Sequence, residues 1–297
     1  MNSSVVATFW ALVTILITGT QNITIRLAAD HGADAFQIVL FRNLFALVSI
    51  VIILFWTTRS LPRSRFAALI AIACLVHVAS TLSGYYGIAV LPLNESAALG
   101  FAMPLFATVG AALFLGETVR ARRWSAVAAG LVGVLIILRP GIIPVSLGAA
   151  MVLLSAALGA VVTLMFKRFI GGEGAMTLVL WQSAYAFLFS VPPAVITWEM
   201  PTGFAAAMMI TNGVLGTLGW LTFLRACQLT DASALMPFEF LRLPVVAVFA
   251  YVLFTEIPDQ WVWIGAAVIF SSTLYIAHRE AVVARESAGR RTSGEQP

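Results

Sequence analysis

Glu239 and Arg242 are an acid and a base three residues apart in the otherwise apolar stretch SALMPFEFLRLPVVAVF. At that spacing two side chains share one helix face and can pair. A carboxylate facing a solute cation and a guanidinium facing a carboxylate or phosphate oxygen would together recognise a zwitterion. The competing reading is an ion pair that satisfies itself and fixes packing. Pro237 and Pro244 flank the pair and interrupt backbone hydrogen bonding there. Arg42, in FRNLFAL, is a second cation among apolar residues, with a solute anion or a buried carboxylate as its alternative partners.

Neutral polar residues recur at helical spacing. His77, Ser80, Thr81, Gly84 and Tyr85 fall on one face, as do Thr14, Thr18, Gln21 and Asn22. The imidazole of His77 could take up a coupling proton or simply be hydrogen-bonded. Gln21 and Asn22 are costlier to bury than Ser or Thr, which favours them as solute contacts over plain interhelical glue. A weaker stripe runs through Ser155, Gly159 and Thr163. Gln182, Trp181, Tyr185 and Trp220 can wall a cavity against a ring or methyl group. Gly213, Gly216 and Gly219 read as close-packing positions, and Glu95 and Asp231 as helix-start residues that complement the dipole. Glu117 and Glu256 close the same two segments and are not assigned to binding.

These assignments presuppose that the surroundings are lipid. Hydrophobic residues make up 61% of the 297 and charged ones 10%, against about 45–50% and about 25% in a soluble domain. Apolar runs of about 20 residues, enough to cross a bilayer, recur near 5–28, 34–57, 65–90, 94–115, 122–139, 146–167, 174–197, 203–227, 231–255 and 259–278. That predicts an all-α integral membrane protein with ten transmembrane helices, followed by a disordered tail over 279–297. The first run is too long for a signal peptide and is expected to be a retained helix. Cys74 and Cys227 lie inside apolar runs without metal-ligand or disulfide spacing and read as packing residues.

The formal charge of +4 does not point to nucleic acid, because the basic residues occupy short gaps between apolar runs. With the amino terminus inside, thirteen Lys and Arg residues fall on the cytoplasmic side, and only Arg26 and Arg139 fall outside. That bias predicts cytoplasmic amino and carboxyl termini. LPLNESAALGFAMPLFATVGAALFLGE, from Leu91 to Glu117, is similar to QLTDASALMPFEFLRLPVVAVFAYVLFTE, from Gln228 to Glu256. Each has a polar break with an acid, a small-residue start, a mid-helix proline (Pro104, Pro244) and a closing glutamate. The halves are therefore 1–140 and 141–278. Five helices per half is odd, so the repeats are expected to be inverted, the arrangement that supports alternating access at a midplane site.

GFAMPLFATVGAALFLGE with the following RRWSAVAAGLVGVLIILRPG, FRNLFAL and SALMPFEFLRLP jointly resemble the EamA-type permeases of the drug/metabolite transporter superfamily. The resemblance implies a bundle in which helices one to four and six to nine surround a central cavity, while five and ten lie at the periphery. It also implies transport of a metabolite across a bacterial inner membrane, in a pattern nearer to carriers of amino-acid-derived or cofactor-like solutes such as S-adenosylmethionine or riboflavin; with the Glu239–Arg242 pair, the solute is expected to be small and polar or zwitterionic, an amino acid included. Export of drugs or toxic metabolites is the alternative. The residues themselves place the cavity among helices one, three, four, six, eight and nine. Coupling by a proton, exchange and facilitated diffusion stay open, as do monomer and homodimer, and no cofactor is expected. No HExxH motif, carboxylate cluster or nucleophile with a base supports an enzyme, and no charge ring or filter sequence supports a channel.

Overall fold

The computed structural model describes residues 3–57, 63–116, 121–141, 144–169, 175–229 and 241–292. Every regular element among them is a helix. In order they are α1 (Ser3–Asp30), α2 (Ala35–Thr57), α3 (Ala67–Val90), α4 (Leu93–Gly100), α5 (Met103–Phe114), α6 (Ala121–Leu138), α7 (Leu147–Phe169), α8 (Ala175–Ile196), α9 (Gly203–Leu229), α10 (Arg242–Phe254) and α11 (Gln260–Thr292). Eight spans are long and apolar enough to cross a membrane, counting Leu93–Phe114 as one. Arg123–Leu138 and Arg242–Phe254 are shorter apolar helices and complete the ten.

Two elements depart from the sequence expectation. The fourth span is broken: α4 stops at Gly100, the chain turns at Phe101 and Ala102, and α5 restarts with Pro104 in its first turn. A proline has no N–H to donate and fits only where none is needed, so it marks a restart and not a helix interior. Pro244 likewise sits in the first turn of α10. The region beyond Arg279, expected to be disordered, continues α11 as far as Thr292. Its Ala, Glu and Arg residues favour helix, and lengthening an existing helix needs no new nucleus. Glu117, Asp231, Pro237, Glu239 and the last five residues lie outside the described residues.

The helix pairings map onto themselves when the halves are exchanged. The pairing α1 with α9 mirrors α7 with α3, and α2 with α9 mirrors α8 with α3. Likewise α5 with α7 mirrors α10 with α1, whereas α2–α8 and α6–α11 are their own counterparts. Because α7 starts at the end of the bundle where α1 finishes, the two five-helix repeats are inverted. Below, the near end is where α1 begins and the far end is where it finishes.

Packing is unequal across the bundle. The largest buried cluster joins α4, α5, α6, α10 and α11 through residues such as Leu99, Leu105, Val134, Leu243, Val246 and Ile269. Here α6 and α11 cross so closely that a Cβ on Gly133 would lie 2.8 Å from the carbonyl oxygen of Gly265, a separation that only glycine allows. Outward-facing apolar side chains such as Leu113 and Phe114, 71% and 74% exposed, make the surface that lipid would cover. The loosely filled part of the bundle lies on the other side, between α1, α2, α3, α8 and α9.

Candidate functional site

A cavity of about 410 Å³ occupies that region. α1 contributes Thr14, Thr18 and Gln21, α3 contributes His77, and α2 contributes Arg42, Asn43 and Ser49. α8 supplies Met176, Val179, Gln182 and Ser183, and α9 supplies Gly216, Thr217, Trp220 and Phe223. Gln21, Arg42 and His77 lie well inside their helices, whereas Met176 is the second residue of α8 and Phe223 is within two turns of the end of α9. At 1.5 Å per residue, the cavity runs from mid-bundle toward the near end, where Met176 and Trp220 are 45% and 47% exposed. A second hollow of about 590 Å³ lies among far-end residues Ala29–Asp34 and Ile196–Glu199. It is largely a cleft between connecting segments and does not penetrate the helices.

The inner end of the cavity rests on a hydrogen-bonded floor. Gln21 Nε2 donates to Tyr85 Oη at 3.2 Å, and Tyr85 Oη donates to Asn212 Oδ1 at 3.4 Å. Asn212 Nδ2 donates to Thr24 Oγ1 at 3.0 Å and to the Gln21 carbonyl at 3.2 Å. α1, α3 and α9 are thereby tied together at mid-depth. Asn212 is fully buried, and each of its polar atoms has a partner, as a buried amide requires. Beyond the floor, Ile25, Ala28, Ile38, Val39, Ala205 and Met209 pack into an apolar seal at the far end.

Arg42 lies above this floor, its guanidinium carbon 5.9 Å from the centre of the Tyr85 ring. Placing a charge in the middle of a bilayer costs at least about 2.5–3.5 kcal/mol. A cation–π contact returns about 0.5–2 kcal/mol, and among the described residues no carboxylate pairs with Arg42. Gly216 makes room at this point: a Cβ there would lie 2.9 Å from Gln21 Nε2 and 3.6 Å from Arg42 Cγ.

The inverted repeat explains why α2 and α8 both face the cavity. AFQIVLFRNLFA aligns with AMTLVLWQSAYA, which puts Arg42 opposite Gln182, Asn43 opposite Ser183 and Ala46 opposite Ala186. All six residues line the cavity, and Asn43 Nδ2 donates to the Ala186 carbonyl at 3.2 Å across the helix pair. That alignment was the available signal for α2 and α8 as walls, and for Asn43 and Ser183 as wall residues. Asn212 gave no comparable signal, because nothing in TNGVLG separates a floor residue from packing glue.

Of the sequence candidates, Gln21, Arg42, His77, Gln182 and Trp220 come together at the cavity. Tyr85 is the floor beneath Arg42, and Thr81 donates back to the His77 carbonyl at 2.9 Å. Asn22 is half-buried and is not on the cavity wall. Arg242 stands apart as well, its guanidinium carbon 5.1 Å from the Phe101 ring centre at the α4–α5 break. Glu239 is outside the described residues. The expected wall differs in composition: the described lining comes from the first, second, third, seventh and eighth spans, whereas the fourth and sixth pack on one another through α4, α5 and α7. The Ser155 face of α7 is instead taken up by α3, since the Ser155 carbonyl accepts from Ser80 Oγ at 2.8 Å. Trp181 and Tyr185 point into an apolar cluster with Ile70 and Cys74.

Charged contacts are also built into the far end. Arg26 pairs with Asp30 at 3.3 Å and donates to the Ala89 and Leu91 carbonyls at 2.8 and 3.0 Å, capping the end of α3. Arg139 pairs with Asp259. The start of α4 is held by Glu256, whose Oε2 accepts the Leu93 N–H at 2.9 Å, so the capping side chain comes from the opposite repeat and not from Glu95. The described residues hold no cluster of His, Cys, Asp or Glu suited to a metal ion.

Comparison with known proteins fits this architecture. The model of the EamA-like transporter family matches residues 5–139 and again 146–277. An S-adenosylmethionine uptake transporter of Rickettsia bellii is 26% identical over 272 residues, covering 91% of this chain and 93% of the relative. A riboflavin transporter of Rhizobium johnstonii is 29% identical over 283 residues, covering 93% and 92%. A crystal structure with 15% identity superposes with a TM-score of 0.61 over 91% of this chain and 96% of that one, a likeness of fold. With one copy of the family's unit in each inverted half, the chain belongs to the EamA-like transporter family of the drug/metabolite transporter superfamily, and is a multi-pass membrane transporter and not an enzyme.

Proposed function

We propose that this protein is a secondary transporter that carries a small polar or zwitterionic metabolite by alternating access. The solute would belong to the class of amino-acid derivatives and cofactor-like molecules, as the names of its S-adenosylmethionine and riboflavin relatives suggest. The observation that carries the reading is the one-sided cavity, which has a polar floor at mid-depth, reaches the near end and is sealed by apolar side chains at the far end. A carrier needs such a state and its mirror image, and inverted repeats supply the mirror image by exchanging the conformations of the two halves. With the amino terminus in the cytoplasm, as the Lys and Arg bias favours, the state described is open to the cytoplasm. Gln21, Arg42, His77, Gln182 and Trp220 then meet the solute, and Tyr85 supports Arg42 from beneath.

The test is counterflow in proteoliposomes. Vesicles preloaded with unlabelled S-adenosylmethionine, riboflavin or pooled amino-acid derivatives are expected to accumulate the matching labelled solute transiently and saturably. Absence of counterflow for every pool would count against this substrate class. Non-saturating flux with unitary conductance steps would replace the carrier by a channel.

A further inference from the structure

We infer that the inner end of the cavity is an oxyanion subsite with Arg42 as its centre, and that the solute is amphipathic, with a carboxylate or similar oxyanion on an apolar body. This rests on the reading of the cavity as the transport site, and names the chemistry that the site selects.

Three observations converge on it. First, Arg42 contributes the formal charge among the described wall residues; its neighbours Gln21, Asn43, Gln182 and Ser183 are neutral, and no Asp or Glu lines the described wall. A guanidinium held in the low-dielectric interior against an aromatic face, with no carboxylate beside it among the described residues, is poised for an anion brought in from outside. Second, the fold does not demand a charge there. The equivalent position in the other repeat is Gln182, which faces the same cavity as a neutral amide. Either side chain satisfies the helix pair, so the charge is an addition of one half that serves the cavity's contents. Third, the wall away from Arg42 is mostly apolar. Toward the near end Ile50, Ile53, Val179, Leu221 and Phe223 line it, interrupted by Ser49, Gln182 and Ser183, and such a surface favours a hydrocarbon or ring. The volume of about 410 Å³ lies within the usual range of about 300–1,000 Å³ for small-molecule sites.

Three indole probes of similar size but different charge test this: indole-3-acetate, its neutral amide indole-3-acetamide, and the cation tryptamine. Binding to the purified protein is read by thermal stabilisation, and transport separately by counterflow. The acetate is expected to bind at least about tenfold more tightly than the amide, with tryptamine weakest. Arg42→Gln, which copies the Gln182 side of the site, should erase the difference between acetate and amide. Arg42→Lys should retain the preference at lower affinity, since charge remains but the bidentate fork is lost. Arg225→Gln removes a charge outside the cavity and should change nothing. Should Arg42→Gln fail to assemble, the order of the three probes on the parent and on Arg42→Lys decides alone.

Tighter binding of tryptamine, equal binding of acetate and amide, no stabilisation by any probe, or an acetate preference that survives Arg42→Gln would each overturn the subsite. Selective acetate binding without counterflow would leave the subsite standing and remove the transport reading. Counterflow of acetate and amide at equal rates, unchanged in Arg42→Gln, would do the reverse.

Discussion

The two ends of this bundle are built from equivalent helices, yet one is shut and the other hollow. At the far end α1, α2 and α9 close on small residues, Ala28, Ala33 and Ala205, with Ile25, Ile38 and Met209 filling the gaps. At the near end the facing residues are bulkier, among them Ile53, Met176, Leu221 and Phe223, and they line a cavity. Both sets are apolar, so hydrophobicity does not separate open from shut. What differs is that one set packs together and the other lines a void, and an inverted repeat can reverse this by exchanging the conformations of its halves. The shut end also holds charged contacts, among them Arg26–Asp30, Arg139–Asp259 and Glu256–Leu93.

The largest effect should come from asking the ends directly which is open. In a background lacking Cys74 and Cys227, cysteines at Met176 or Phe223 should react readily with a water-soluble maleimide, and one at Met209 slowly. A minor state populated at about 0.1–10% makes that ratio at least about tenfold. Equal rates would dissolve the comparison. An added transported solute should narrow the ratio, because cycling exposes Met209 in turn.

Next is the floor that divides the ends. Asn212→Leu removes the two donations and one acceptance that tie α9 to α1 and α3. Interhelical hydrogen bonds in membranes average about 0.6 kcal/mol with a maximum near about 1.7, so the loss should be about 1–2 kcal/mol, read as a lower melting temperature in detergent. The same variant should speed labelling at position 209. Destabilisation without faster labelling would make Asn212 a packing residue with no part in the barrier.

This barrier marks where sequence reasoning reaches its limit. The ten spans were legible because lipid imposes a length and a composition on each, and the repeat was legible from Leu91–Glu117 against Gln228–Glu256. The break in the fourth span was missed, because Pro104 reads as a mid-helix proline in one continuous apolar run, whereas its missing N–H marks a restart. Within a span, however, a polar residue reads alike whether it faces solute or another helix. Ser155 and Gln21 belong to similar stripes, but Ser155 is consumed by Ser80 while Gln21 lines the cavity. Rotation about the helix axis decides between them, and a one-residue difference of about 100° separates Asn22 from Gln21. The continuation of α11 past Arg279 was missed for a different reason: low hydropathy argues against packing, not against helix.

A smaller effect with the opposite sign is expected at Asn94. It is 3% exposed in the first turn of α4, and among the described residues neither its Oδ1 nor its Nδ2 has a hydrogen-bond partner. An unsatisfied buried amide costs about 1–3 kcal/mol, so Asn94→Leu should raise the melting temperature by the equivalent of about 1 kcal/mol once imperfect packing is subtracted. If the amide finds a partner when the far end opens, the same variant will also slow counterflow. A stabilised variant with normal counterflow would restrict the cost to the resting state.

The smallest effect belongs to Arg139 and Asp259, and its components can be separated. Arg139 ends α6 with φ of 44°, a left-handed conformation that costs a non-glycine residue about 1 kcal/mol or more. Its side chain reaches Asp259 at the start of the last span, so the pair joins the two repeats at the shut end. Both side chains are partly exposed, which limits the pair to about 0–1 kcal/mol. Asp259→Asn removes the attraction and leaves the backbone strained, so it should lower stability by less than about 1 kcal/mol and modestly quicken labelling at position 209. Arg139→Gly loses the same attraction but relieves the backbone, since glycine adopts positive φ freely, and should therefore be nearly neutral in melting temperature while still quickening the labelling. Stability and access thus separate: if the pair latches the far end, both variants loosen it and only one is destabilised. Labelling that follows melting temperature in both variants would mean that the pair contributes only to folding, and that the seal depends on the apolar packing of α1, α2 and α9 alone.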